Sequence, residues 1–181
     1  PAAEMVSPLM GELVAWLGDD DASSPIMIVA AMAHLNLVMI HPFSDGNGRM
    51  ARCLQTLILA REKILHPMLC SIEEYLGRNT PAYYAVLTEV GKGSWHPEND
   101  ARPWIRFSLT AHYRQSMTLN RRLKHWSRVW EEVERQVMRR TLPERSMQEL
   151  VNAAMGYRVR NSTYRLSAEV SENVATRDLK V

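Results

Sequence analysis

Apolar residues recur at helical spacing along nearly the whole of this 181-residue chain. Val6, Leu9, Leu13 and Leu17 share one face and predict an amphipathic helix over 5–17, opened by Ser7-Pro8 and ended by Gly18 and Asp19-Asp20-Asp21. Asp21 or Ser23-Ser24 is expected to cap the next helix. From Pro25 to Ile40 the chain is apolar nearly all round, the pattern of a buried central helix. Within it, His34 and Asn36 are expected as hydrogen-bonded core residues, and Met27, Met32 and Met39 as core filler. After a polar stretch, Leu54, Leu57 and Ile58 predict another helix that closes at Arg61-Glu62-Lys63.

A Pro-containing connection over 64–69 leads to Ser71-Ile72-Glu73-Glu74, which reads as a capped short helix. Arg78-Asn79-Thr80-Pro81 opens a further helix carrying Tyr83, Tyr84, Val86 and Leu87. The loop Gly91-Lys92-Gly93-Ser94 lacks the strand and the glycine spacing of a P-loop. Pro103-Trp104 starts a helix to about Arg114. Leu119 to Arg140 reads as one charged helix with a stripe of Leu123, Trp126, Val129, Trp130, Val133 and Val137. Pro143 then opens a small unit of three short helices: one over Met147, Leu150, Val151 and Met155 ended by Gly156, one over 162–166, and one capped at Val170-Ser171. The prediction is an all-α protein in three parts: a helical core over 1–118, a linking helix over 119–142 and a helix-turn-helix unit over 143–181.

Composition changes this picture little. With 46% hydrophobic and 23% charged residues the chain falls in the globular class. No uncharged run reaches membrane-spanning length, so no membrane partner is expected. Cys53 and Cys70 lie in apolar surroundings without CxxC or His spacing, which predicts a reduced, cytoplasmic protein with no zinc site. The chain begins at Pro1 rather than Met, so a fragment is expected. Charge adds more. Residues 1–119 carry 9 basic and 12 acidic side chains, and residues 120–181 carry 13 and 8, which suggests two parts with different partners.

The candidate chemistry lies in His41-Pro42-Phe43-Ser44-Asp45-Gly46-Asn47-Gly48-Arg49-Met50-Ala51-Arg52, a loop running into a helix start. Helix N-termini attract anions. Gly46 and Gly48 let backbone approach a phosphate closely, and Asn47 holds the loop through side-chain to backbone bonds. Arg49 and Arg52, three apart, are able to point at one ligand with forks suited to phosphate. Asp45 offers the single carboxylate with which proteins hold Mg²⁺ on nucleotide phosphates, and His41 is a base that works near neutral pH. Phe43 is expected to plug the loop into the core.

This stretch resembles the signature of the Fic family, His-x-Phe-x-(Asp/Glu)-Gly-Asn-Gly-Arg-x-x-Arg, at every fixed position. The resemblance extends over Pro25 to Arg61, Arg78-Asn79 to Tyr83-Tyr84, and Ala101 to Phe107. It implies a Fic-type helical core and a protein adenylyltransferase. His41 would deprotonate a hydroxyl of a target protein, Asp45 would hold Mg²⁺, and Gly46, Asn47, Gly48, Arg49 and Arg52 would hold the phosphates of ATP. Tyr83 and Tyr84 would lie near the adenine, or would simply pack their helix. A different donor, such as another nucleotide or a choline-bearing diphosphate, is the alternative within the family.

The C-terminal unit resembles the helix-turn-helix half of a winged helix that Fic proteins often carry, with Ser171, Thr176, Arg177 and Lys180 as candidate DNA contacts. A nucleotide-sensing, DNA-binding regulator is therefore the alternative function. The family's β-hairpin flap would lie upstream of Pro1, so nucleotide binding with poor handling of targets is expected of these residues. An inhibitory helix of pattern (Ser/Thr)-x-x-x-Glu-(Gly/Asn), whose Glu pairs with the second motif arginine (here Arg52), is not expected among these residues, so inhibition is expected from upstream sequence, from a partner antitoxin, or not at all.

Overall fold

The structure, a computed structural model, describes residues 1–19, 24–61, 71–93 and 95–180. The expected caps at Asp21 and Ser23, the connection over 64–69, Cys70 and Ser94 lie outside the described residues. All regular structure among the described residues is helical, as the periodicity predicts. The helices are α1 (Ala3–Gly18), α2 (Ile26–Ile40), α3 (Asn47–Arg61), α4 (Glu73–Arg78), α5 (Thr80–Gly91), α6 (Arg102–Arg140), α7 (Met147–Ala154), α8 (Asn161–Ser167) and α9 (Glu172–Asp178), with a 3₁₀ turn at Glu144–Ser146. The chain divides into two compact units, Pro1–Thr118 and Leu119–Val181.

In the first unit α2 is the hub. Ala31 and Leu35 pack with Tyr83, Leu87 and Trp104, Leu37 and Ile40 with Leu9, Leu13 and Ala51, and Ala30 and Ala33 with Ile58 and Leu59. One helix contributes to all three apolar clusters because it has no polar face to present to water. Its alanines let neighbouring helices come close. α3 turns Asn47, Ala51, Gln55, Ile58 and Leu59 inward, at spacings of four, four, three and one. Leu57 faces solvent instead, and the polar Gln55 takes an inward position. α6 lays Trp104, Ser108, Ala111 and Gln115 against the core, and the Trp104 indole N–H donates to the Ala31 carbonyl at 2.7 Å.

Two expected boundaries differ. α1 starts at Ala3 and carries Pro8 inside it, rather than opening at Ser7-Pro8. Proline there removes one hydrogen bond near the helix end, and burial of Leu9 and Leu13 offsets that loss. The expected pair of helices over 103–114 and 119–140 is a single helix of 39 residues. Neither Gly nor Pro occurs between Arg114 and Asn120, and the hydroxyls of Ser116 and Thr118 donate back to Tyr113 and Arg114 carbonyls. Nothing local stops the helix.

In the second unit Val137, Met147, Val151, Tyr164 and Ala175 are buried. Of the apolar stripe expected on 119–140, Leu123 and Trp126 are exposed, Val129, Trp130 and Val133 are half-buried, and Val137 alone is buried. α9 is held by polar contacts: Arg145 Nε and the Tyr164 hydroxyl both donate to Asp178 Oδ2, at 2.8 and 2.9 Å. Arg145 keeps the Asp178 carboxyl below its ordinary pKa. No wing strand is present among the described residues.

Candidate nucleotide site at the loop between α2 and α3

α2 ends because His41 takes the left-handed conformation, φ 54° and ψ 57°, with its backbone N–H on the Leu37 carbonyl at 3.0 Å. That bend turns the imidazole back on the helix end, where Nδ1 lies 3.2 Å from the Val38 carbonyl. A carbonyl only accepts, so Nδ1 carries the proton and Nε2 is left with its lone pair on an exposed ring. This is the tautomer a base needs.

The loop that follows is closed by one side chain. Asn47 Oδ1 accepts from the Phe43 N–H at 2.9 Å, and Asn47 Nδ2 donates to the Phe43 carbonyl at 2.6 Å. Asn47 is 4% exposed, whereas the Phe43 ring is 45% exposed. The expected phenylalanine plug is therefore corrected: the Phe43 backbone is clasped, and the amide of Asn47 does the plugging. Buried backbone polar groups demand such a partner, while an exposed aromatic ring costs comparatively little.

Gly46, at φ 88°, turns the chain into α3, and its carbonyl accepts the first helical bond from Met50 at 2.9 Å. The N–H groups of Asn47, Gly48 and Arg49 precede that first bond, so the positive end of a 15-residue helix faces the loop. Asp45 Oδ1 accepts from the Gly46 N–H at 2.7 Å, and its Oδ2 pairs with Arg49 Nη2 at 2.7 Å. Both side chains are strongly exposed, at 89% and 70%. The two arginines are thus held by different carboxylates. Arg52 Nε donates to Glu73 Oε1, from the first turn of α4. The local pattern around Glu73 predicts only a capped helix. Its link to Arg52 depends on a chain reversal that no local pattern announces.

The hydroxyl of Tyr83 also lies beside the Arg52 guanidinium, and burial pushes its phenol pKa up while the guanidinium draws it back. Tyr83 is buried, with its ring in the aromatic group of His34, Trp104 and Phe107. Tyr84 is exposed. The ring of Tyr83 therefore packs α5, and its hydroxyl alone reaches the loop. Gly48 makes room there: a Cβ on it would lie 3.2 Å from Arg52 Nη1 and 3.9 Å from the Tyr83 hydroxyl.

Among the described residues no three His, Cys, Asp or Glu side chains gather as a metal cluster. Asp45 is the one carboxylate of the loop. A single carboxylate is what Mg²⁺ takes when phosphates and water supply its remaining ligands, so the donor set fits a nucleotide-borne ion.

In the second unit Ser171, Arg177 and Lys180 are exposed, and Lys180 follows α9 rather than lying within it. Thr176 is half-buried, its hydroxyl accepting from Asn161 Nδ2 at 3.0 Å. Ser94-Trp95-His96-Pro97-Glu98-Asn99 has the letters of the inhibitory pattern, against the expectation that these residues lack it. Its described residues form no helix, and Glu98 is bonded to His96 Nδ1 at 2.9 Å.

The Fic/DOC family model matches residues 1–59. Protein adenylyltransferase fic-1 of Caenorhabditis briggsae is 38% identical over 108 residues, covering 59% of this chain and 19% of that protein. Protein adenylyltransferase Fic of Nematostella vectensis is 37% identical over 109 residues, covering 59% and 22%. The chain spans about a fifth of the length of these curated relatives. A crystal structure of a Fic family protein from Desulfovibrio desulfuricans G20 superposes with a TM-score of 0.58 at 26% identity, covering 91% of this chain and 47% of that one.

Proposed function

We propose that the Fic domain carried by this chain is a protein adenylyltransferase, which moves AMP from ATP to a Ser, Thr or Tyr hydroxyl of a protein target. The observation that carries the reading is the His41 ring, tied through Nδ1 to the Val38 carbonyl with Nε2 free and exposed beside a helix N-terminus. Nε2 takes the proton of the target hydroxyl as the hydroxyl oxygen attacks the α-phosphorus. The bond from that phosphorus to the α,β-bridging oxygen breaks, and pyrophosphate leaves.

The loop's part is to hold phosphate. The free N–H groups of Gly48 and Arg49 face the anion, and Arg49 and Arg52 fork its outer oxygens. Asp45 would hold Mg²⁺, which supplies positive charge to the phosphate oxygens when bound. Its pairing with Arg49 is exposed and therefore weak, so phosphate is able to take Arg49 while the carboxylate turns to the ion. We place the activity in the cytoplasm, supported by the free, exposed thiol of Cys53.

The test is incubation with α-³²P-ATP, Mg²⁺ and cell lysate, beside His41→Ala. Loss of one general base lowers transfer by roughly 10²–10⁴-fold, so label should disappear from the variant while ATP binding persists. Equal labelling by both forms would sink the enzyme. A regulator that only senses nucleotide labels nothing in either form.

A further inference from the structure

Beneath the motif loop runs a chain of buried polar side chains that has a direction. Gln55 lies on the inward face of α3, two turns beyond Asn47. Its Nε2 donates to Ser108 Oγ at 3.1 Å and to His112 Nε2 at 2.8 Å. Its Oε1 remains to accept, and His34 Nδ1 stands 2.6 Å from it. His34 must then carry its proton on Nδ1, which leaves Nε2 as an acceptor. The Tyr83 hydroxyl is 3.1 Å from that nitrogen and has the only proton available to the contact. Tyr83 therefore donates inward, and its oxygen lone pairs are left for the other side, where the Arg52 guanidinium lies.

Burial keeps the direction from reversing. It lowers the pKa of His34 to about 4, against the pull of the Gln55 hydrogen bond, and that of His112 to about 4. Both rings are neutral at neutral pH. No buried side-chain N or O among the described residues lacks a partner, so each member of the chain is satisfied by the next.

We infer that His34 and Gln55 are positioning residues: they make Tyr83 donate inward, so that its oxygen faces Arg52 and holds that guanidinium beside the loop backbone. The inference rests on the reading above that Arg52 meets the outer phosphates of the nucleotide. A buried histidine whose partners all lay in the core would be architecture alone. This one ends, through Tyr83, on a partly exposed cation at the motif. Arg52 has five N–H donors, so Tyr83 on one side and Glu73 on Nε leave the others for phosphate.

Two measurements test it, one of them independent of catalysis. Two-dimensional ¹⁵N–¹H spectra of the histidine side chains at pH 7, with His34 assigned by its loss in His34→Gln, should show the Nδ1–H tautomer. The Nε2–H tautomer at His34 would reverse the chain and overturn the inference, whatever reaction the site performs. Calorimetry of ATP with Mg²⁺ is the second. A hydrogen bond that holds a charged partner is worth about tenfold in binding. Tyr83→Phe and Gln55→Leu should each weaken affinity by about that factor while the thermal transition stays cooperative. His34→Leu should do the same, and His34→Gln, whose amide oxygen can accept from Tyr83 in place of Nε2, should recover most of the loss. Unchanged affinity in Tyr83→Phe, or no recovery in His34→Gln relative to His34→Leu, overturns it. Failure of the transfer assay with these two results intact would sink the adenylyltransferase and leave the positioning chain standing.

Discussion

Arg52 and Glu73 meet with Nε and Oε1 2.5 Å apart, the arginine side chain 21% and the glutamate 56% exposed. The guanidinium proposed to meet phosphate thus already holds a carboxylate, brought to it from a different helix.

A phosphate arriving at Arg52 must displace Glu73 or share with it. Exposed ion pairs are worth up to about 1 kcal/mol, equivalent to about fivefold in affinity. Glu73→Ala should therefore tighten binding of Mg-ATP by up to about fivefold, and Arg52→Ala should weaken it. Calorimetry distinguishes the two signs. Weaker binding in Glu73→Ala would mean that the carboxylate orients the guanidinium instead of competing for it.

Asn47 closes the loop with two hydrogen bonds to one residue. Asn47→Ala leaves the Phe43 N–H and carbonyl without them, at a cost of about 2 kcal/mol. For a chain of this size the thermal midpoint should fall by roughly 4–8 °C. Phe43→Ala removes a half-exposed ring and should move the midpoint much less. The reverse order would restore the phenylalanine plug.

Two glycines should respond with opposite signs to alanine. Gly46 sits at φ 88°, where a side chain is strained, and its Cβ would lie 3.4 Å from Arg49 Nη2. Gly46→Ala should cost on the order of 1–3 kcal/mol. Gly11 lies inside α1, and a Cβ there meets nothing within 4 Å. Gly11→Ala should stabilise by about 1 kcal/mol. Denaturant titration of both variants checks the pair, and destabilisation by Gly11→Ala would contradict the open face of α1.

Stability should fall as the solution is acidified. His34 is held neutral by burial with a pKa of about 4, below the 6.5 ordinary for a histidine. Between pH 6.5 and 4 the unfolded chain binds a proton that the folded chain refuses, so stability is full above that window and is lost as pH falls through it. The loss is on the order of 3 kcal/mol for His34, and His112 adds to it in the same direction. Thermal midpoints of wild type and His34→Gln, followed from pH 7 to 4.5, isolate the contribution. Equal slopes for the two proteins would remove His34 from the account.

Much of this was legible along the chain, because local physics sets it. Helical periodicity, the left-handed turn at Gly46, the stop after Ile40 and the spacing of His41, Asp45, Arg49 and Arg52 are decided within a few residues of one another. Asn47 was legible as a loop-holder for the same reason, since its partner is four residues away. The rest depends on which distant segments pack together. Gln55 looks like a polar interruption of an apolar stripe until Ser108, His112 and His34 arrive around it. Glu73 looks like a helix-start residue until α4 brings it to Arg52. Tyr83 and Tyr84 are equivalent letters in a row, yet one is buried against His34 and the other is exposed, because α5 has one inward face. Hydrogen bonds within one turn follow from neighbouring residue types and backbone dihedrals. Those that join residues 21 to 57 positions apart exist only after burial has chosen which helix faces meet, and that choice belongs to the core as a whole.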